Sequence, residues 1–478
     1  MIYYRILFSL IIIVELSSTA LGQAPDTLWI KTYDFEDRVE QCWKAIATPD
    51  GGLAITGATT YGGYSTTPYL LRINANGDTL WSRRPNFWGI GRAICMSPDN
   101  GFIIAGSHNE SPHQFPFILK LDCSGNTIWS NFLYDLGHGV LRSVQPVGLD
   151  GYILTGYKLG TFPDYADSVL LFRINSGGDY LWSRVYSGAN DERAWSVVPT
   201  SDSGFIIVGW TESSGNGLSD FYIIKTDSNG DSIWTKTFGS PWEDEGRDIL
   251  ETPDGGYVFS GKRSISQSKA NHYLMKINSQ GDSIWAHSYV DVISYTITHS
   301  ITQTLDGGYA LIGYRPYSSN IRYIDIIRTD AQGDSLWSKR FWHNPVKYYG
   351  RSIIQAQDGS YFLCGNNVED IWVVKLAPEI TNIENGNNLF PNIFILHQNH
   401  PNPFNAATAI RYSLPYESEI RLSIYNILGR KIEILFEGTQ NPGEHIITWD
   451  ASHLPSGIYF ARLETRCRTE NIKMVLLK

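Results

Sequence analysis

Between Arg247 and Ser288 four short segments, Asp248 to Glu251, Tyr257 to Ser260, Tyr273 to Ile277 and Ser283 to Ser288, alternate polar with apolar residues or run apolar throughout. Each is bounded by Gly, Asp, Asn or Gln, and that pattern reads as a strand between turns. Asp-Gly and Asn/Gln-Gly-Asp supply hairpin chemistry, because Gly accepts the positive φ of a tight turn. Segments with helical periodicity are absent.

The pattern recurs. Gly-Asp-x-[Leu/Ile]-Trp stands at Gly77 to Trp81, Gly178 to Trp182, Gly230 to Trp234, Gly281 to Trp285 and Gly333 to Trp337, with Asn126 for Asp in Gly125 to Trp129 and a truncated form at Asp26 to Trp29. Successive tryptophans lie 52, 48, 53, 52, 51 and 52 residues apart. Interleaved are seven acidic turns, beginning at Asp50, Asp99, Asp150, Asp202, Asp254, Asp306 and Asp358. Four antiparallel strands at a period of about 50 residues describe a propeller blade, so the chain is expected to be all-β, a seven-bladed β-propeller around a central channel. The last copy, Arg351 to Leu376, lacks its tryptophan strand, and Asp26 to Tyr33 is such a strand with no blade before it. Together they predict a ring closed by the N-terminal strand, which leaves no open edge. Alternation in Trp234 to Phe238 gives the outer strand one buried face, so the tryptophans are expected in the inter-blade core.

A basic residue precedes the turn in every copy, at Arg72, Lys120, Arg173, Lys225, Lys276, Arg328 and Lys375. Two readings compete: a cationic ring for an anionic ligand, or a repeated contact with the Asp of the Asp-Gly turn on the same face, and the second is preferred. Asp227, Asn229 and Asp231 have the oxygen spacing of a calcium loop, but the twelfth position is Phe238 rather than a bidentate Glu, so these are read as turns and no metal or cofactor is expected. The acidic loops Glu36-Asp37, Asp191-Glu192 and Glu243 to Glu245, with the adjoining Trp242, lie between an outer strand and the next inner strand, near one channel mouth. Long loops bring Tyr61, Tyr64, His108, His113, Phe115, Phe162, Tyr165 and Tyr317 to the same face. These aromatic and acidic residues are the candidate ligand-binding set.

Composition narrows the function. A net charge of −10 with evenly spread Lys and Arg argues against a nucleic-acid partner. Arg5, the apolar run Ile6 to Val14 and small residues up to Gly22 read as a signal peptide over residues 1–22, and no other stretch is apolar enough to span a membrane. Five scattered cysteines, Cys42, Cys95, Cys123, Cys364 and Cys467, show no metal spacing and no disulfide framework. No Gly-x-Ser-x-Gly elbow appears, and nothing raises one loop carboxylate's pKa, so no catalytic residue is assigned. The main expectation is a binding or adhesion protein for a glycan or protein. Alternatives are a polysaccharide-active enzyme using Asp191 and Glu243, or a structural surface protein.

The run Asp220 to Trp234, with Gly246 to Ile249 and Asp254 to Tyr257, resembles the bacterial extracellular β-propeller repeats over Asp26 to about Leu376. Residues 377–389 read as a polar linker, and residues 390–478 carry new signatures of short strands with Gly and Pro turns, a small Ig-like β-sandwich. Pro401-Asn402-Pro403-Phe404-Asn405, Tyr425 to Gly429, Trp449-Asp450, Gly457 and the terminal Lys473 to Lys478 resemble the C-terminal sorting domain of type IX secretion cargo. That resemblance implies export by the signal peptide, passage through the type IX secretion machinery as partner, and a secreted or outer-surface location.

Overall fold

The computed structural model describes residues 12–13, 24–35, 39–61, 65–110, 113–160, 166–289, 295–316, 321–342, 348–367, 369–379, 395–414, 418–441, 443–465 and 469–478. These residues are strand-rich, and their one helical element is the 3₁₀ turn Tyr134–Leu136. Antiparallel sheets, each with its four strands in sequence order, follow one another over 39–83, 89–132, 139–186, 192–238, 245–289 and 297–342. Ile12–Ile13 pairs beside Phe341 and Trp342 of the last of these; the rest of the expected signal peptide, 1–11 and 14–22, lies outside the described residues. One further sheet joins distant segments: Thr27–Tyr33 pairs with Ile371–Leu376, which continues through Tyr361–Asn366 to Tyr349–Gln355. This all-β succession of four-stranded sheets is consistent with a propeller.

The core lies between sheets. Ile206, Val208, Phe221 and Ile223 of one sheet pack with Ile249, Tyr257, Phe259 and Tyr273 of the next. The repeated tryptophan signature proves to be an inter-sheet lock. In each Asn/Asp-x-x-Gly turn the Gly takes positive φ, 79° at Gly230 for example, and the tryptophan of the preceding outer strand lies flat against it. A Cβ on Gly230 would sit 2.5 Å from the Trp182 ring, and one on Gly77 2.8 Å from Trp29. The hydroxyls of Tyr33, Tyr186 and Tyr289 donate to the carbonyls of Gly77, Gly230 and Gly333 at 2.7, 2.5 and 2.7 Å. Lys31, Arg184 and Lys236 pair with Asp78, Asp231 and Asp282 at 2.8, 2.8 and 3.1 Å. Most of these tryptophans are only half buried, at the rim of the seam rather than its centre, and Trp337 alone of the seven is fully buried.

The C-terminal residues form two sheets, one of 395–396, 407–414 and 443–450, the other of 431–440, 418–426, 457–465 and 469–476. Between them Phe404, Tyr412, Trp449 and Tyr459 are buried with aliphatic neighbours, Trp449 lying 5.6 Å from Phe404 and 5.5 Å from Tyr459 between ring centres. The Pro-Asn-Pro-Phe-Asn run is stitched to the last strand: Asn402 accepts from the Val475 amide at 2.8 Å and donates to the Lys473 carbonyl at 3.2 Å, and the Phe404 amide donates to Val475 O at 2.9 Å. Gly429, at φ 72°, closes a turn in which the Asn426 side chain accepts from the Leu428 and Arg430 amides, each at 3.0 Å. Asp450 accepts from the Ser452 amide at 2.8 Å, Gly457 opens a strand, and the Lys473 side chain is exposed.

Candidate functional site

Every innermost strand carries a bulge at the same repeat position. The register shifts fall at Cys42/Lys44, Gly91/Ala93, Leu141/Ser143, Ala194/Ser196, Gly246/Asp248, Thr298/Ser300 and Gly350/Ser352. A bulge leaves one residue out of the ladder and re-aims its side chain. Here the freed residues are Trp43, Arg92, Arg142, Trp195, Arg247, His299 and Arg351, and all seven line one cavity. Four cations and three aromatic rings therefore share one channel in a chain whose net charge is −10.

The arginines stack on the tryptophans. Arg92 and Arg351 lie 4.5 and 4.8 Å from the centre of the Trp43 ring, and Arg247 and Arg142 lie 3.7 and 4.1 Å from that of Trp195. Stacking orients a guanidinium while leaving its N–H fork free for a planar anion. Arg247 has an ion pair with Glu245; among the described residues no carboxylate pairs with Arg92, Arg142 or Arg351. The Nε atoms of all four arginines, Nη1 of Arg142 and the indole N–H groups of Trp43 and Trp195 are buried without hydrogen-bond partners. Burial, then repulsion from Arg142, brings Arg92 down to about 9, and burial brings Arg142 and Arg351 to about 10, so all remain cations at neutral pH. Burial and the neighbouring arginines push His299 well below the usual histidine range. It is neutral, and its Nε2 lies 3.4 Å from Nη1 of Arg351.

One step along the strands the lining continues in a hydrogen-bonded polar group. Asp248 accepts from Ser196 Oγ at 3.0 Å, Ser300 Oγ at 3.1 Å and the Ile301 amide at 3.2 Å, and pairs with Lys44 at 3.2 Å. Other cations are paired with rings or acids: Arg193 lies 4.7 Å from the centre of the Tyr157 ring, Arg322 4.5 Å from that of Tyr349, and Lys262 donates to Glu245 at 3.0 Å and to the Tyr295 hydroxyl at 2.6 Å.

Of the residues singled out from the sequence, Asp191 lies 3.8 Å from Arg193 and Glu243 3.4 Å from Lys262. Glu192 is buried and accepts from the Gly188 amide at 2.5 Å and the Thr211 hydroxyl at 2.8 Å. Trp242 is partly exposed on the same loop as Glu243. His108, His113 and Phe115 form a separate knot with Phe132, Tyr134 and His138, in which His113 stacks on His138 at 4.1 Å and Phe115 meets Tyr134 at 4.9 Å. Tyr61 ends a strand paired with Ser65. Tyr64, Phe162, Tyr165, Tyr317, Glu36 and Asp37 lie outside the described residues. The channel residues themselves went unassigned, although one signal was present: the residue two places before Ala45, Ile94, Val144, Val197, Ile249, Ile301 and Ile353, as in Gly91-Arg92-Ala93-Ile94 and Gly350-Arg351-Ser352-Ile353, is Arg, Trp or His in all seven copies.

Residues 399–477 match the secretion system C-terminal sorting domain. The C-terminal domain is a type IX sorting domain. The chain is accordingly exported to the cell surface or the medium and engages the type IX machinery. No curated relative matches the sequence. Among solved structures, the chain is similar to PorZ, a surface component of the type IX secretion system of Porphyromonas gingivalis, at 11% identity and TM-score 0.42, covering 91% of this chain and 59% of that one. It is also similar to Sqt1 of Chaetomium thermophilum, at 10% identity and TM-score 0.44 over 74% and 100% of the two chains, and to polysaccharide lyase Uly1, at 8% and 0.40 over 70% and 90%. Likenesses at that level carry no functional argument. Among the described residues no helix is long and apolar enough to cross a membrane.

Proposed function

We propose that this exported chain is a seven-bladed propeller closed by its N-terminal strand, that it binds the acidic groups of an anionic polysaccharide at its channel, and that it does so without catalysis. Closure is supported by the N-terminal strand's pairing with Ile371–Leu376 and by its contacts with the first sheet through Trp29, Lys31 and Tyr33. The observation that carries the binding reading is the trio Arg92 and Arg351 on Trp43 and Arg142 on Trp195, which have no carboxylate partner among the described residues. Desolvating a cation is costly unless an anion compensates it. A carboxylate or sulfate meets the guanidinium fork in two parallel bonds, and the flanking rings suit a sugar face. Against catalysis, Asp191 takes the Asp167 amide at 2.8 Å and Glu243 sits exposed beside Lys262, so neither has the buried setting of a general acid.

The test is retention of the mature chain, Gln23 to Lys478, on polyuronates, sulfated glycans and neutral glucans, with product release followed in the same samples. Retention by acidic polymers alone is the expected result. Equal retention by neutral glucans, or none by any polymer, would sink the acidic-ligand reading, and released products would overturn its non-catalytic part.

A further inference from the structure

Three carboxylates converge where the N-terminal strand meets the first and last sheets. Asp34 follows Thr27–Tyr33, Glu40 lies in Val39–Ala47, and Asp370 immediately precedes Ile371–Leu376. One oxygen from each lies within 4.8 Å of the others. Glu40 is fully buried, at 0% exposure, and neither of its oxygens has a hydrogen bond of ordinary geometry. Burial, reinforced by Asp34 and Asp370 and only partly offset by the Phe35 amide and Arg84, raises its carboxyl to about 8.

The same position in later sheets shows what is missing. Glu40, Glu192 and Asp244 each donate their own amide to the preceding sheet, to Glu369 O at 2.8 Å, Asp167 O at 3.0 Å and Ser219 O at 2.8 Å. The Glu192 carboxylate is then capped by Gly188 and Thr211, and that of Asp244 by the amides of Ser240 and Ser264. Among the described residues Glu40 has no such cap and faces two further acids instead. Its equivalents show that this corner of a sheet is built to satisfy a carboxylate, and at Glu40 none of the described residues supplies the compensating group.

We propose that Asp34, Glu40 and Asp370 bind Ca²⁺, and that the ion ties the N-terminal strand to the first and last sheets. An all-oxygen, triply acidic set suits a hard divalent cation. Ca²⁺, with oxygens at about 2.3–2.6 Å, accommodates ligand atoms up to about 5 Å apart across the ion, whereas Mg²⁺ at about 2.0–2.1 Å draws them to about 4 Å and gives up its waters reluctantly. Asp34 is exposed and Asp370 half buried, which leaves solvent-side positions for water ligands and a way in.

Thermal unfolding of the mature chain is followed after chelation, then with ~5 mM CaCl₂ or MgCl₂, a concentration above the Kd of roughly 10⁻⁴–10⁻³ M common in extracellular modules. Ca²⁺ should raise Tm by about 2–6 °C and Mg²⁺ by less. Glu40→Gln should abolish the Ca²⁺ response while leaving the Tm of the chelated protein at neutral pH close to the parent's, since burial already holds the metal-free carboxyl largely protonated there. Asp370→Asn, at a half-buried position, should also abolish the response, and it provides the reading if Glu40→Gln fails to fold. A Ca²⁺ response that survives in the variants, or the absence of both a Tm shift and a calorimetric heat with CaCl₂, would overturn the site.

Discussion

Two sets of cations run through the sheets, and they are treated in opposite ways. On the turn side, Arg72, Lys120, Lys225, Lys276, Arg328 and Lys375 each pair with the Asp of the acidic turn in their own sheet, at 2.5, 2.8, 2.8, 2.5, 2.5 and 3.6 Å. Arg173 donates instead to the Tyr152 and Ile174 carbonyls, at 3.2 and 2.5 Å. In the channel, Arg92, Arg142 and Arg351 have rings for neighbours and, among the described residues, no carboxylate partner. A repeat that brings a cation and its acid in the same unit has built a fastener. Under the binding proposal, one that brings the cation alone leaves the anion to a ligand. The preferred structural contact is present at six of the seven turn-side cations, and the unpaired cations lie at a ring of residues the turns do not include.

The largest effect should come from breaking a fastener. Arg328 is almost fully buried among Asp306, Glu379 and Tyr361, and Arg328→Leu should cost roughly 3–5 kcal/mol in urea unfolding, because it strands buried acceptors. Arg92→Leu, which strands none, should stay within about 1 kcal/mol of the parent or exceed it. If both cost the same, the channel arginines are structural and the contrast fails. Next in size, the pair Arg92→Gln and Arg351→Gln should lower retention on acidic polymers at least ~10-fold, since each charge-assisted bond contributes about 1.5–3 kcal/mol. Unchanged retention would move the ligand elsewhere.

Smallest is a pH effect that separates the two rings. The hydrogen bond from Lys276, with that from Thr252, holds Asp254 down at about 2. Its folded pKa is below its unfolded one, so the stability it contributes is present above about pH 4 and disappears as pH falls toward about 2. Asp254→Asn should flatten that acid limb. Polymer binding should instead stay level between about pH 5.5 and 8, because the arginines keep their charge and His299 stays neutral. A rise on acidification would show a protonated His299.

Legibility from sequence followed physical range. The four-strand unit, its Gly turns and the two sheets of the sorting domain could be read because alternation and turn chemistry are encoded within a few residues. The histidines were not resolvable in this way: His108 and His113 join a knot of rings contributed by neighbouring strands, whereas His299 faces the channel, and nothing local separates them. The tryptophan signature announced a buried partner without saying that the partner would be the Gly of the next sheet's turn.

By itself the sequence determined the repeat, the strand count of each unit, the pairing of six of the seven turn cations with the acid of their own unit and the sorting signal, since all depend on residues close together in the chain. Only the tertiary structure decided that seven bulges converge on one channel, and that Asp34 and Glu40, near the N-terminus, meet Asp370 at the far end of the sheets. Both depend on contacts between sheets far apart in the chain, and local spacing carries no information about which distant sheet a residue will meet.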